Sequence, residues 1–415
     1  MQLISYIVTA LLFMGPCVLA YLGWQVEGKN VGFITSFYPS FYLLLLTHFY
    51  CLYRSKKYRQ VNKPVTWLFV ICCTCYIFFK LLFGRDIPRM VLFNSIVLPA
   101  MYGSFFTYFS AVRHQMKIQH LIITLYIINS LLALLERLTL QTLFPLDLAY
   151  EDSDFTIANE LYSDLFRSTA LLGHPLSNAL ITAIVMGFIL ISNLKNFHKY
   201  TLYMFGFVAL LCFNARGAML ISGLSFIIYV FYNLTNAKMK FSYKLNIVIF
   251  MLICIAIVVY LLGEGYGGRF FEQDDVSEDG SIMARIYVWL MFSYLDLKAF
   301  LLGINGDEIE RLAIRTMGMI HVENWLILFI LNMGIILTIA VILFFIPIFR
   351  QSLKNYTIFQ TLFVLGVCFG VASTNNSLAS GVQAISMFMV CAYAFKYNHK
   401  DIIIRLFSKQ SKNGY

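Results

Sequence analysis

Long apolar stretches, separated by mostly short polar connections, dominate this 415-residue sequence. A helix that crosses a bilayer needs about 20 predominantly apolar residues, because the hydrocarbon core is about 30 Å thick. By this criterion, the pattern predicts twelve membrane-spanning helices, which lie near residues 3–24, 31–52, 65–83, 90–112, 118–135, 169–192, 201–213, 217–233, 245–262, 324–347, 357–374 and 378–395. We therefore expect an all-α polytopic integral membrane protein, in which residues 1–415 form a single transmembrane domain.

The seventh and eighth segments meet at the motif Asn214-Ala215-Arg216-Gly217. This motif places a charge and a glycine inside an otherwise apolar run, and both disfavour the middle of a membrane helix. We interpret the run as two short helices that meet near one membrane face. A single long helix is the alternative.

Two connections are long, and both follow odd-numbered segments, so they lie on the same side of the membrane. They are residues 136–168 and residues 263–323, the second of which joins helices 9 and 10. The larger loop has the pattern of short amphipathic helices. In one of them Asn305 is the predicted N-cap, acidic residues occupy the first turn, and Arg311 and Arg315 follow.

The composition excludes a water-soluble protein, because 60% of the residues are hydrophobic and only 13% are charged. Basic residues concentrate in every second connection: Arg54, Lys56, Lys57, Arg59, Lys63, Arg113, Lys117, Lys195, Lys199, Lys238, Lys240, Lys244, Arg350, Lys354, Lys396, Lys400, Arg405, Lys409 and Lys412. The positive-inside rule then predicts that these connections and both termini are cytoplasmic. The net charge of +10 therefore reflects topology, and we expect no nucleic-acid partner.

The predicted outer side carries a different type of basic residue. Its basic residues are mainly arginines: Arg85, Arg89, Arg137, Arg167, Arg216, Arg269, Arg285, Arg311 and Arg315. Arginine carries a planar fork of donors that binds phosphate bidentately, which lysine does not. Ordinary ion pairs with outer acidic residues explain Arg311 and Arg315, but they explain Arg216 poorly, because no acidic residue lies near it in sequence.

Two histidines, His174 and His321, lie at the outer face. His321 is followed by Glu323 and Asn324, so an imidazole lies beside a carboxylate at the entrance of a helix. This pair has the parts of a general base, although a structural role is common for an isolated histidine. No metal-binding or nucleotide-binding signature is present, and we expect neither a metal ion nor a cofactor.

Short motifs in this arrangement resemble the O-antigen polymerases of the Wzy type and, more distantly, the O-antigen ligases. The motifs occur between residues 167 and 334: Arg167-Ser168-Thr169 with Gly173-His174-Pro175-Leu176, Asn214-Ala215-Arg216-Gly217-Ala218, Gly268-Arg269-Phe270, Ala284-Arg285-Ile286-Tyr287-Val288-Trp289, and His321-Val322-Glu323-Asn324 with Gly334. The sequence departs from the family at Ala215, where a serine often precedes the arginine.

The resemblance implies a bacterial inner-membrane glycosyltransferase with periplasmic loops at 136–168 and 263–323. Its substrate would be an undecaprenyl-diphosphate-linked oligosaccharide, joined by metal-independent inverting transfer. Carried over by position, Arg216 and Arg285 would bind the diphosphate with help from Arg269 and Arg167, and His321 would be the base. A polysaccharide chain-length regulator is an expected partner. His174, Asn324 and Trp289 are further candidate site residues.

Two alternatives remain open. The first is a ligase of the same superfamily, which transfers finished chains to lipid A-core. The second is a flippase or transporter of the same lipid-linked sugar. The absence of two related halves and the scarcity of charge inside the predicted spans argue against a transporter.

Overall fold

The computed structural model describes residues 1–26, 32, 34–83, 90–109, 111–144, 166–235, 241–263, 286–318, 322, 324–374, 378 and 383–396. This part of the chain is helical and contains no β-strand. The prediction of an all-α fold is confirmed for these residues.

The α-helices of the described residues are numbered here in chain order. They are α1 (Gln2–Leu11), α2 (Pro16–Tyr21), α3 (Pro39–Arg54), α4 (Lys56–Val61), α5 (Lys63–Phe83), α6 (Leu98–Thr107), α7 (Val112–Thr139), α8 (Pro175–Ile191), α9 (Asn196–Cys212), α10 (Arg216–Thr235), α11 (Phe241–Gly263), α12 (Leu297–Leu302), α13 (Gly306–Met317), α14 (Trp325–Ser352), α15 (Ile358–Ala372) and α16 (Ala384–Ala394). A π-helical segment, Met90–Val97, leads into α6, and 3₁₀ turns occupy Ala170–Leu172 and Val288–Tyr294.

Among the described residues, helices α5, α7, α10 and α14 are long and apolar enough to cross a membrane. Shorter apolar helices include α1, α8, α15 and α16. Large apolar side chains such as Leu81 and Ile358 are about four-fifths exposed, as is typical of a surface that faces lipid. These features fit a helical membrane protein that associates with the bilayer, whereas the twelve spans and their orientation stay predictions.

Helices α8 and α16 lie at the centre of the bundle. Nearly every side chain of both helices is buried, which is expected for a helix that is apolar on all sides. Helix α8 packs against α9, α10, α15 and α16, and α16 also packs against α6 and α7. The first turn of α8 is therefore fixed by several neighbours, and this turn borders the candidate site.

The predicted first span, 3–24, forms two helices rather than one. Helix α1 ends at Leu11, and Pro16 begins α2 at a position where proline's missing N–H is tolerated. The Gly15 N–H donates to the carbonyl of Leu171 at 2.8 Å. A Cβ on Gly15 would collide with the backbone of Leu172, so glycine permits this close approach. The break thus seats the N-terminal helices against the Ala170–Leu172 turn.

Helix α14 is kinked at Gly334, which has a φ of 78° and a ψ of 163°. A Cβ at this position would collide with the carbonyl oxygen of Leu301 in α12. The Ile304 N–H donates to the carbonyl of Leu331 at 2.7 Å. The kink therefore holds α12 and the residues that follow it against α14.

Two local predictions are confirmed. Helix α9 ends at Cys212 and α10 begins at Arg216, so the chain is interrupted where the charged motif predicted it. Helix α13 begins after Asn305, which forms a reciprocal capping box with Glu308.

Candidate functional site

Three arginines of the predicted outer face lie on chain segments that are hydrogen-bonded to one another near the ends of α7 and α9 and the start of α10. Arg137, in the last turn of α7, donates from Nη1 to the carbonyl of Phe166 at 3.3 Å. Arg167 is the next residue, and its Nε donates to the carbonyl of Phe213 at 3.5 Å. Arg216 follows three residues later as the first residue of α10. All three arginines are half-buried. We call this region the arginine junction; it consists of Glu136, Arg137, residues 166–170 and residues 213–216.

The backbone also holds the junction together. The Ser168 N–H donates to the carbonyl of Cys212 at 3.1 Å, and the Ser168 hydroxyl donates to the carbonyl of Ala133 at 2.8 Å. Residue 168 is thereby bonded to the ends of both α7 and α9. The proximity of these chain segments consequently depends on the hydrogen bonds of Ser168 as well as on those of the arginine side chains.

Glu136 is the organising carboxylate of the junction. Its side chain accepts hydrogen bonds from the N–H groups of Leu143, Thr169 and Ala170 at 2.9, 2.7 and 2.9 Å, and from the Thr169 hydroxyl at 3.4 Å. The residue is fully buried. Because its oxygens are engaged by these donors, Glu136 fixes the 168–170 segment.

Asn214 occupies the turn between α9 and α10 in an unusual state. Its φ is 50°, in the left-handed region that asparagine tolerates better than most residues. The side chain is only 2% exposed, and neither amide atom has a hydrogen-bond partner in the described structure. Each buried polar group without a partner costs about 1–3 kcal/mol. Such a group in a native protein calls for an explanation beyond packing.

A second buried amide, Asn178, lies close to the same segment. Its Nδ2 donates to the carbonyls of Thr169 and His174 at 2.5 and 3.1 Å. Its Oδ1 has no partner in the described part of the chain. The junction is thus bordered by two asparagines whose hydrogen-bonding capacity is incompletely used.

Gly217 fits α10 against the end of α15. A Cβ on Gly217 would lie 2.5 Å from Oγ1 and 2.6 Å from Cβ of Thr374. Both distances are shorter than van der Waals contact, so a side chain at position 217 would force the two segments apart.

We expect Gly217→Ala to destabilise the protein by about 1–3 kcal/mol, because it overpacks this contact. Thr374→Gly removes the opposing side chain, so the double variant should recover most of that loss. Thermal unfolding of the parent protein, the two single variants and the double variant in one detergent gives the coupling energy between positions 217 and 374. Purely additive effects would contradict the contact.

His174 and Asn324 both cap helices. His174 Nδ1 accepts the Leu176 N–H at 3.2 Å at the start of α8. Asn324 Oδ1 accepts from the N–H groups of Leu326 and Ile327 at 3.0 and 3.2 Å at the start of α14. These contacts give both candidates a structural role.

Trp289 lies in the Val288–Tyr294 turn and is 53% exposed. Its ring contacts that of Phe292 at 6.1 Å. Within the described residues, no hydrogen bond or ring contact joins Trp289 to the arginine junction. The arrangement therefore does not bring this candidate together with Arg167 and Arg216.

The remaining predicted site residues, His321, Glu323, Arg269 and Arg285, lie outside the described residues. Residues that lie close to His321 and Glu323 in sequence are described. Val322 is buried in a small core with Ile309 and Ile327. The Trp325 ring, at the start of α14, lies 5.9 Å from that of Phe369 in α15. The starts of α14 and α10 therefore both pack against the C-terminal part of α15.

A cavity of about 580 Å³ lies between α5 and the region of α12 and α13. Its lining includes Tyr294, Asp296, Asn305 and Glu308. The Arg315 guanidinium lies 4.7 Å from the centroid of the Tyr294 ring, so a cation–π contact accounts for this arginine. The cavity thus combines carboxylate, amide and aromatic groups.

Sequence reasoning did not identify Glu136, Asn178, Asn214 or Thr374 as parts of a site. One signal was available for Glu136, which precedes Arg137 at the end of an apolar segment. The partners of Glu136 at Thr169 and Ala170, and the contact of Thr374 with Gly217, lie far away in sequence.

No protein-family model matches the chain, and no curated protein matches it closely.

Proposed function

We propose that this protein is a membrane glycosyltransferase that polymerises undecaprenyl-diphosphate-linked repeat units into O-antigen or a related surface polysaccharide. The observation that carries the proposal is the arginine junction, where hydrogen bonds join the chain segments that carry Arg137, Arg167 and Arg216, all three of which are half-buried. Arginine side chains in half-buried positions are suited to bind a diphosphate, because each guanidinium group can donate two parallel hydrogen bonds to phosphate oxygens. The reaction takes place at the periplasmic face of the bacterial inner membrane, with both termini in the cytoplasm.

The energetics of that compartment favour such a donor. Outside the membrane there is no ATP, so the energy for a glycosidic bond arrives with the substrate. A lipid diphosphate is a good leaving group, and arginines stabilise the negative charge that develops as its bond to the sugar breaks.

The residues take defined roles in one step. His321, oriented by Glu323, removes the proton from the acceptor hydroxyl, and the oxygen attacks the anomeric carbon with inversion. The bond from that carbon to the diphosphate breaks, and undecaprenyl diphosphate leaves. Arg167 and Arg216 hold the diphosphate, together with Arg269 and Arg285, and Arg137 adds charge beside them.

The cavity beside α12 and α13 supports a saccharide substrate. Asp296, Asn305 and Glu308 offer oxygen and amide groups that hydrogen-bond to hydroxyls, and Tyr294 adds an aromatic ring. We assign this cavity to the growing chain or the incoming repeat unit. The polyprenyl tail lies against apolar side chains that face lipid.

The proposal can be tested by deletion of the gene for this protein from the bacterium that carries it. We expect lipopolysaccharide that carries a single repeat unit on lipid A-core, because ligation proceeds without polymerisation. Core with no repeat unit attached indicates the ligase instead. Accumulation of lipid-linked repeat units on the cytoplasmic side indicates a flippase. Restoration of long chains by the plasmid-borne gene is the control, and an unchanged ladder after deletion contradicts the proposal.

A further inference from the structure

Asn214 carries a buried amide whose lack of partners is not explained by packing, although its left-handed φ is ordinary for an asparagine that follows the C-cap of a helix. It has a left-handed backbone, its side chain is buried, and both of its amide atoms lack partners in the described structure. It lies two residues before Arg216, at the N-terminus of the 20-residue helix α10. The first N–H groups of a helix have no intrahelical acceptor and favour an anion. The unpaired amide and the helix end therefore lie at the same place.

The unused hydrogen-bonding groups define the chemistry of a ligand. Asn214 offers two donors at Nδ2 and an acceptor at Oδ1, and Asn178 offers a further acceptor at Oδ1. Phosphate oxygens accept hydrogen bonds, so a diphosphate alone satisfies only the donors. Sugar hydroxyls donate as well as accept. A sugar joined to a diphosphate is a class of ligand that offers both the acceptors and the donors that the Asn214 amide lacks.

We infer that Asn214 is a ligand-binding residue of the arginine junction: its Nδ2 donates to a phosphate oxygen held by Arg216, and its Oδ1 accepts a hydrogen bond from a hydroxyl of the adjacent sugar. This inference rests on the proposed function for the identity of the ligand. It adds a neutral residue that distinguishes a sugar-linked diphosphate from the bare lipid diphosphate released as product.

The amide becomes accessible through an exchange of partners at Arg167. In the structure, Arg167 Nε donates to the neutral carbonyl of Phe213 over a long distance of 3.5 Å. A phosphate oxygen is a stronger acceptor because the hydrogen bond is charge-assisted. When the ligand binds, Arg167 turns from Phe213 to the phosphate, and the turn that carries Asn214 loses one of its restraints.

Asn214→Gly separates ligand binding from a structural role. Glycine accepts a positive φ without strain, and the substitution also removes the unpaired amide. If the only role of Asn214 were to adopt the positive φ of this turn, Asn214→Gly would be at least as stable as the parent protein and would bind ligand equally well. The inference expects undiminished stability together with weaker binding.

The test uses the full-length protein in lipid nanodiscs with two probes: undecaprenyl diphosphate and undecaprenyl diphosphate linked to a single sugar. We expect Asn214→Gly to weaken binding of the sugar-linked probe by about tenfold, as for loss of hydrogen bonds that include a charged acceptor. Binding of the bare diphosphate should weaken less, since only the Nδ2 contact is lost. Asn214→Asp, which keeps the side-chain shape but adds a negative charge, should weaken both probes further.

Asn233→Ala is the matched control. Asn233 is also a buried asparagine of α10, but its Nδ2 donates to the carbonyl of Tyr229 at 2.7 Å. We expect its dissociation constants to equal those of the parent protein. If Asn214→Gly and Asn214→Asp both bind the sugar-linked probe as the parent does, the inference is wrong and the proposed function stands. If the parent protein binds neither probe, both are wrong.

Discussion

Arg216→Ala should abolish polysaccharide longer than one repeat unit while the protein remains in the membrane at its normal level. Arg216 is the first residue of α10 and lies three residues after Phe213, whose carbonyl accepts a hydrogen bond from Arg167. Removal of one preorganised donor that stabilises developing charge slows a reaction by about 10²–10³-fold. The lipopolysaccharide ladder on a gel, together with an immunoblot of the membrane fraction, measures both quantities.

Two further variants serve as comparisons for Arg216→Ala. Arg216→Lys keeps the charge but loses the fork, so we expect short chains in reduced amount. Arg311→Ala removes an exposed arginine of α13 and should leave the ladder unchanged. A normal ladder in Arg216→Ala would show that the arginine junction does not hold the diphosphate.

Glu136→Ala should destabilise the protein strongly, with a loss of about 3 kcal/mol in the free energy of unfolding. The substitution leaves the buried N–H groups of Thr169 and Ala170 without their acceptor, and each unpaired buried group costs about 1–3 kcal/mol. We expect an apparent melting temperature lower by about 5 °C in detergent. The same loss of restraint should displace Arg167.

A further variant separates the hydrogen-bonding role of the Glu136 carboxylate from the volume that its side chain fills. Glu136→Gln keeps one acceptor oxygen but turns an NH₂ donor toward backbone N–H groups, so its effect should approach that of alanine. Glu310→Ala, which changes an exposed acid of α13, should leave the melting temperature unchanged. A melting temperature equal to that of the parent protein in both Glu136 variants would contradict the role of Glu136.

Local signals in the sequence predicted part of the fold correctly. The break between α9 and α10 was predictable because Arg216 and Gly217 interrupt an apolar run, and both disfavour a continuous helix. The start of α13 was predictable because Asn305 carries the sequence signature of an N-cap. Both predictions depend on interactions within a few residues along the chain.

Other features depend on distant partners. Residues 3–24 form one apolar segment in sequence, and Gly15-Pro16 is a local helix-breaking signal within it. The bond from Gly15 to Leu171, which fixes where the two helices pack, depends on a distant partner. The kink at Gly334 likewise reflects contact with Leu301. Apolar periodicity contains no information about such close approaches between backbones.

The candidate site was predictable by residue type but not by arrangement. The choice of arginine at the outer face singled out Arg167 and Arg216, and the structure joins their segments. The placement of Arg137 beside them, and the buried carboxylate of Glu136, depend on the path of residues 166–170 between α7 and α9. The roles of His321, Glu323, Arg269 and Arg285 stay predictions.

The most direct test of the central claim uses purified protein in lipid vesicles that contain an undecaprenyl-diphosphate-linked repeat unit. The measurement is the formation of new glycosidic bonds with stoichiometric release of undecaprenyl diphosphate. We expect the parent protein to form chains of several repeat units and Arg216→Ala to form none. Movement of the labelled lipid-linked sugar across the vesicle membrane without new glycosidic bonds, or equal polymer from both proteins, would contradict the account.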